Sequence, residues 1–113
     1  MKKLVLRKEE AVDIERLIDA KVETDSGVYK KVFPTKWGII TLLIFERYYH
    51  RIDSDLSITV ISDKRDNETT VEIIAAGGKT SLLQFDFAAE KSATKSIAGI
   101  LINDGFEILE DWF

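Results

Sequence analysis

The stretch "IITLLIFERYY" at residues 39–49 is the longest predicted strand of the chain, and it decides the fold. Successive side chains of a strand point to opposite faces of a sheet. The apolar side chains therefore form two sets on opposite faces: Ile39, Leu43 and Phe45 on one, and Ile40, Leu42 and Ile44 on the other. Antiparallel sheets commonly leave one face in water. Because both faces are apolar here, we expect both to be covered.

Other segments with strand-like patterns lie around this one along the chain: 28–33, 56–62, 69–76 and 81–87. Segment 56–62 alternates cleanly between apolar and polar residues, as a half-buried strand does. Polar turns separate these segments, so consecutive strands can pair directly. We predict a five-stranded antiparallel meander, with "KLVL" near the N-terminus as a short sixth strand.

Two segments have helical periodicity. Residues 9–22 place apolar side chains three and four positions apart, with acidic residues in the first turn. A longer helix is predicted from about residue 87 to Gly105, a residue type that commonly ends helices. Its apolar stripe is Ala89, Ala93, Ile97, Ile100 and Leu101. Alanines and Gly99 make one side of this helix slim, which allows close approach to a sheet.

The segment "FEILEDWF" at 106–113 is predicted to be a short strand or a tail. Its Trp112 and Phe113 either cover an edge of the core or reach a partner. A run of strands flanked by helices indicates an α+β fold. We predict a single domain over 1–113, with an antiparallel meander sheet of about five to six strands. An N-terminal helix and a long C-terminal helix pack on that sheet.

The tripeptide Gly-Lys-Thr at 78–80 resembles the end of a phosphate-binding loop. That loop requires a glycine five residues earlier and a helix afterwards. The earlier position holds Ile73, and a strand-like pattern follows. We therefore predict a hairpin turn of three or five residues centred on Gly78, with Ile73 opposite Leu83 and Val71 opposite Phe85, and no specific nucleotide site.

The bulk composition suits one small domain. The chain has 113 residues, a net charge of -4 and no cysteine. No disulfide or thiolate site is therefore expected, and the acidic balance argues against nucleic-acid binding. No apolar run is long enough for a signal peptide or a membrane-spanning helix. We expect a soluble, cytoplasmic protein without a cofactor.

Positive charge is concentrated in residues 28–51, where five Lys and Arg residues stand against a single Glu, a local balance of +4. Aromatic residues alternate with these cations. The candidate contacts for a ligand or partner are Tyr29, Lys31, Trp37, Arg47, Tyr49, His50 and Arg51. Such a mixture can bind single-stranded nucleic acid or anionic aromatic ligands. The other interpretation is that the aromatics belong to the core and the lysines protect an edge strand from unwanted pairing.

His50 is the only histidine, and Asp53 and Asp55 follow it closely. A metal site usually requires three protein ligands, and these residues have no recognised ligand spacing. No segment resembles a nucleophile motif. We predict neither a metal site nor a catalytic residue here, but a strand end whose charges are solvated.

The order of elements resembles a reduced helix-grip domain, in which a C-terminal helix lies across a curved sheet. Residues 40–101, with "LLIFERYY", the double-glycine hairpin and "FDFAAE", are similar to a family of small uncharacterised proteins of Gram-positive bacteria. That resemblance rests on structural motifs and implies no known function.

We expect a non-enzymatic domain that self-associates as a homodimer or binds a protein partner. The second apolar face of strand 39–45 motivates this, unless the N-terminal helix covers it. The alternative is a carrier or sensor of a small apolar or anionic ligand, held between the sheet and the C-terminal helix. An enzyme is the third and least favoured interpretation.

Overall fold

A computed structural model of the chain describes residues 2–21, 29–49, 54–77 and 95–112. The described elements follow in this order: β1 (Lys2–Lys8), α1 (Ile14–Lys21), β2 (Tyr29–Pro34), β3 (Ile39–Tyr49), β4 (Ser54–Lys64), β5 (Thr69–Gly77), α2 (95–103) and β6 (Glu107–Trp112). The six strands form one sheet in the order β2-β3-β4-β5-β1-β6. All neighbours are antiparallel. The architecture is thus a mixed α+β fold built mainly of sheet.

The meander from β2 to β5 has the predicted order, but the neighbour of β5 differs from the prediction. Ile73 of β5 lies opposite Val60 of β4 on one side and opposite Leu4 of β1 on the other. The predicted pairing of Ile73 with Leu83 and of Val71 with Phe85 is therefore wrong, since both edges of β5 are already occupied. The N-terminal strand takes the place that a local hairpin would have filled. Residues 81–87 and the turn at 78–80 lie outside the described residues.

One face of the sheet, the inner face, forms the core. The register aligns Leu43, Val60, Ile73 and Leu4 in a row across four strands, and each is at most 3% exposed. The rows on either side continue the same buried face. These rows are Phe45, Ile58, Ala75 and Lys2, and Thr41, Ser62, Val71 and Leu6. Of the two apolar sets on β3, the inner one is thus the set that contains Leu43 and Phe45, although Ile39 is 38% exposed.

Helix α1 packs on this inner face. It begins at Ile14, later than the predicted residue 9, and its Ile14 and Ile18 are buried in the same hydrophobic cluster as the sheet. The side chain of Thr69 holds the segment before the helix against β5. Its Oγ1 donates to the carbonyl oxygen of Glu10 at 2.8 Å and accepts from the backbone N–H of Val12 at 2.9 Å. The N-terminal helix therefore does not cover the opposite face.

Helix α2 packs on the same inner face, through Ile97, Ala98 and Leu101. Ile100 of the predicted stripe is only half-buried, and the predicted helical residues before 95 lie outside the described ranges. The helix ends at residue 103, and Gly105, the predicted stop signal, follows in the turn with a left-handed φ of 104°. There the N–H groups of Asp104 and Phe106 both donate to the carbonyl of Leu101 at 3.0 Å. Buried Phe106 then leads the chain into β6, which confirms the predicted short strand.

Candidate functional site

The second face of the sheet, which we call the outer face, is also apolar in its middle. Its large apolar side chains come from four neighbouring strands: Phe33, Ile40, Leu42, Ile44, Ile61 and Ile74. Phe33 lies directly opposite Ile40, and Leu42 opposite Ile61. All six are half-buried. Both described helices pack on the inner face, so neither of them covers this patch.

Ion pairs bound the outer face on the β1 side. Lys3 and Glu72 approach to 3.1 Å. The Nε of Arg7 donates a hydrogen bond to Oε2 of Glu68 at 2.8 Å, and Nη2 of Arg7 lies 2.7 Å from the same oxygen. The hydrogen bond with Glu68 is the main reason why the pKa of Arg7 is raised. The outer face therefore carries large apolar side chains over β2 to β5, with polar residues such as Asp63 among them, and ion pairs towards β1.

Three of the predicted contacts, Tyr29, Lys31 and Trp37, lie on β2 or in the turn that follows it, at one edge of the sheet. Tyr29 is 54% exposed and Trp37 is 66% exposed. Lys31 lies 5.7 Å from the ring centre of Phe33, and Lys36 lies 5.3 Å from that of Trp37. Phe33 and Trp37 thus each lie beside a lysine, and neither Tyr29 nor Trp37 belongs to the core.

The structure does not gather these residues into one site. Tyr29 begins β2, whereas Trp37 lies in the turn beyond its other end, and a strand rises about 3.3 Å per residue. That turn is held close to β4: a Cβ on Gly38 would lie 2.1 Å from the carbonyl oxygen of Lys64, so only glycine fits. Trp37 therefore projects from a tight connection, distant from Tyr29.

Of the remaining predicted contacts, Arg47 and Tyr49 are at the far end of β3. The backbones of Arg47 and Tyr49 pair with Leu56 and Ser54 of β4. The structure describes the backbone of these two residues but not their side chains. His50 and Arg51 lie outside the described residues altogether, as does Asp53. Across the described ranges, no group of three or more His, Asp or Glu residues is placed to hold a metal ion.

A groove runs between α2 and the β1–β6 side of the sheet, with a volume of about 320 Å³. Its apolar lining comes from both layers: Leu4, Ala98, Gly99, Ile102 and Ile108. The groove lies where the carrier alternative expects a ligand, between the sheet and the C-terminal helix. Lys2, Lys95 and Asp111 complete the lining. These last residues were missed, because Lys2 and Asp111 are 109 positions apart in the sequence.

A buried ammonium group lies in this groove. The Lys2 side chain is 1% exposed and hydrogen-bonds to Asp111, whose side chain is 49% exposed. A buried charge is strongly destabilising unless an opposite charge or hydrogen-bond acceptors compensate it. The groove is therefore apolar along its length, with a cation that requires an anionic partner at one point on its wall.

A second depression, of about 380 Å³, lies near the end of α2 and includes Arg7, Lys8 and Gly105 in its lining. Its basic groups already contact acids. Lys8 lies 3.2 Å from Glu10 and 3.3 Å from Asp104. The hydrogen bond with Glu10 is the first cause of the raised pKa of Lys8. We interpret this depression as a salt-bridged surface rather than as a binding site.

A sheet with both described helices on one face defines a two-layer α+β domain. The chain belongs to a family of unknown function, DUF6054, which it matches over residues 13–103. The family assignment confirms the expectation of an uncharacterised domain family. No curated protein and no solved structure matches the chain. Among the described helices, none is long and apolar enough to cross a membrane.

Proposed function

We propose that this chain is a non-enzymatic association domain, in which two copies dock through the outer faces of their sheets. One observation carries the proposal: α1 and α2 both pack on the inner face, while large apolar side chains of four strands lie on the outer face. An apolar patch of several hundred Å² is at the upper end of what monomeric proteins leave in water. Docking removes that surface from water.

A second copy of the chain is the occupant that the outer face fits best. The patch is central and has charges of both signs at its borders, including Lys31 on β2 and the Lys3–Glu72 pair on the β1 side. A surface with mixed charges can face its own copy without a net repulsion, and a two-fold axis closes the assembly with one patch. The patch also lies wholly within residues 13–103, the part that matches the family.

An NMR experiment on a mixed sample tests this arrangement. Equal amounts of 13C-labelled and unlabelled chain are combined, and nuclear Overhauser effects between labelled and unlabelled molecules are selected. We expect intermolecular effects at the methyl groups of Ile44, Ile61 and Ile74. The methyl groups of Ile58 and Ile73, on the same strands but on the inner face, are the matched controls and should show none. Intermolecular effects confined to the controls or to α2 would contradict the proposal.

The alternative function, a carrier of a small ligand, is supported by a different feature. The groove lies between the sheet and the C-terminal helix, the place expected for a ligand in a helix-grip-like domain, and its volume of about 320 Å³ is at the lower end of small-molecule pockets, about 300–1,000 Å³. Because β1 and β6 contribute to the groove and lie outside residues 13–103, we place this function second.

A further inference from the structure

The groove suggests a specific class of ligand, an inference that rests on the carrier alternative and is independent of association through the outer face. We propose that the groove binds a single-chain carboxylate with an apolar tail of medium length. The tail lies along Leu4, Ile102 and Ile108, and the carboxylate accepts hydrogen bonds from the ammonium group of Lys2.

The size and lining of the groove set the length of the tail. In a liquid such as water each non-hydrogen atom takes up about 30 Å³, so a groove of about 320 Å³ holds roughly ten such atoms. Most of the lining residues are apolar, and Ile102 and Ile108 at its sides are 45% and 48% exposed. A ligand that covers these two side chains removes apolar surface from water, which favours binding.

Lys2 determines that the head group is an anion, and Asp111 indicates that it is a carboxylate. The ammonium group of Lys2 is buried at the groove and donates a hydrogen bond to the carboxylate of Asp111. Asp111 is half exposed, so it can turn towards water at little cost. A ligand carboxylate then takes its place and keeps the buried cation paired. Lys95, also at the groove, adds a second positive charge for the same head group.

Gly99 supplies a way to close the groove without disturbing the fold. It lines the groove, and a Cβ built on it meets nothing within 4 Å. A larger side chain at this position therefore has room to occupy the space that the tail would take. Replacing a helical glycine by another residue also stabilises the helix, because glycine has a low helix propensity. Loss of binding in such a variant could not be attributed to unfolding.

The test uses octanoate, which has ten non-hydrogen atoms, and 1-octanol, which has the same tail without the charge. Binding is followed by chemical-shift changes of backbone amides in titrations of the full chain. We expect saturable binding of octanoate, with shifts in α2, β1 and β6, and binding of 1-octanol at least about tenfold weaker, the usual effect of losing a hydrogen bond to a buried charge.

Three variants separate the tail from the head group. Gly99→Leu should abolish binding of octanoate, while Gly99→Ala, the matched control, should retain it. Lys2→Met should weaken octanoate at least about tenfold and leave 1-octanol unchanged. Thermal melts of each variant verify folding.

Two results would overturn the inference in distinguishable ways. If 1-octanol binds as tightly as octanoate and Gly99→Leu blocks both, the carboxylate specificity is wrong and the carrier function stands. If neither compound produces saturable shifts, or if Gly99→Leu binds octanoate like the wild type, the groove is not a ligand site and the carrier function fails as well.

Discussion

The two faces of the sheet carry similar residues and differ in what covers them. Ile73 and Ile74 are neighbours on β5, yet Ile73 is fully buried beneath the helix layer and Ile74 is half-buried on the outer face. The alternation of apolar residues indicates that both faces avoid water. It does not indicate whether the cover comes from the same chain. Long-range packing decides that, and here both described helices pack on one face.

The largest difference between the two faces is expected when an aspartate is introduced on each of them in turn. Ile73→Asp should prevent folding, because an unpaired carboxylate in a dry core costs several kcal/mol, comparable to the whole stability of a small domain. Ile74→Asp, one residue further, should retain the fold and weaken association only. Circular dichroism at 25 °C with a thermal melt distinguishes them. A folded Ile73→Asp protein would show that the inner face is not the core.

The same contrast applies along α2, where Leu101 is buried and Ile102 is 45% exposed. Leu101→Ala should lower the free energy of unfolding by about 2–5 kcal/mol, through lost burial and the cavity that remains. Ile102→Ala should change it by less than about 1 kcal/mol. Urea denaturation with linear extrapolation measures both. Equal losses would mean that the helix does not present the Leu101 side to the sheet.

A smaller loss of stability is expected when the Thr69 hydroxyl, which links the inner face to the chain before α1, is removed. Thr69→Val keeps the shape but removes the hydrogen bonds to Glu10 and Val12, so it should cost about 1–3 kcal/mol. The control is Thr70→Val on the outer face. Thr70 does not take part in the hydrogen bonds to Glu10 and Val12, so little change in stability is expected. Chemical denaturation of the two variants in parallel provides the comparison. A neutral Thr69→Val would remove the role assigned to this hydroxyl.

The smallest expected effect concerns pH. The hydrogen bond from Lys64 lowers the pKa of Asp13 below its ordinary value of 3.8. Because the folded pKa is the lower one, the stabilisation is present above the unfolded pKa and is lost as the pH falls through the folded pKa. The Asp13 side chain is 49% exposed, so solvent screens the pair and its contribution is about 0.2–1 kcal/mol.

Lys64→Met tests the pair. Its stability deficit relative to the wild type should be present at pH 7 and should disappear below the folded pKa, in the acid range under pH 3.8. Denaturation curves of the variant and the wild type, at pH 7 and at a pH below the folded pKa of Asp13, measure this deficit. A deficit that does not change with pH would assign the effect to packing of the Lys64 chain rather than to the ion pair.

Much of the fold could be predicted because its determinants are local. The alternation in residues 56–62, the helical spacing around Ile97 and Leu101, and the glycine at 105 each specify their own element. The failed prediction was non-local. The pairing of Ile73 with Leu83 agreed with the spacing alone. In the structure, however, Ile73 pairs with Leu4 of β1, which is far away in the sequence. Periodicity does not indicate which of two matching strands takes an edge.

The candidate sites show the same division. The two-sided apolar pattern of β3 identified the outer face from the sequence, and the carrier alternative placed a ligand between the sheet and the C-terminal helix, where the groove lies. The buried Lys2 could not be found, because a lysine near the chain start is normally solvated and its burial depends on β6 pairing beside β1. The basic and aromatic residues of 28–51 were recognised as a group, but Tyr29 and Trp37 lie at opposite ends of β2.

The mass in solution tests the central claim most directly. Sedimentation equilibrium of the wild type and of Ile74→Asp, at the same micromolar concentration, compares an intact outer face with a charged one. We expect the wild type near twice the chain mass of 12.9 kDa and the variant near 12.9 kDa, with both folded. A wild-type mass that stays at 12.9 kDa across dilution, or a variant that remains as heavy as the wild type, would contradict docking through the outer face.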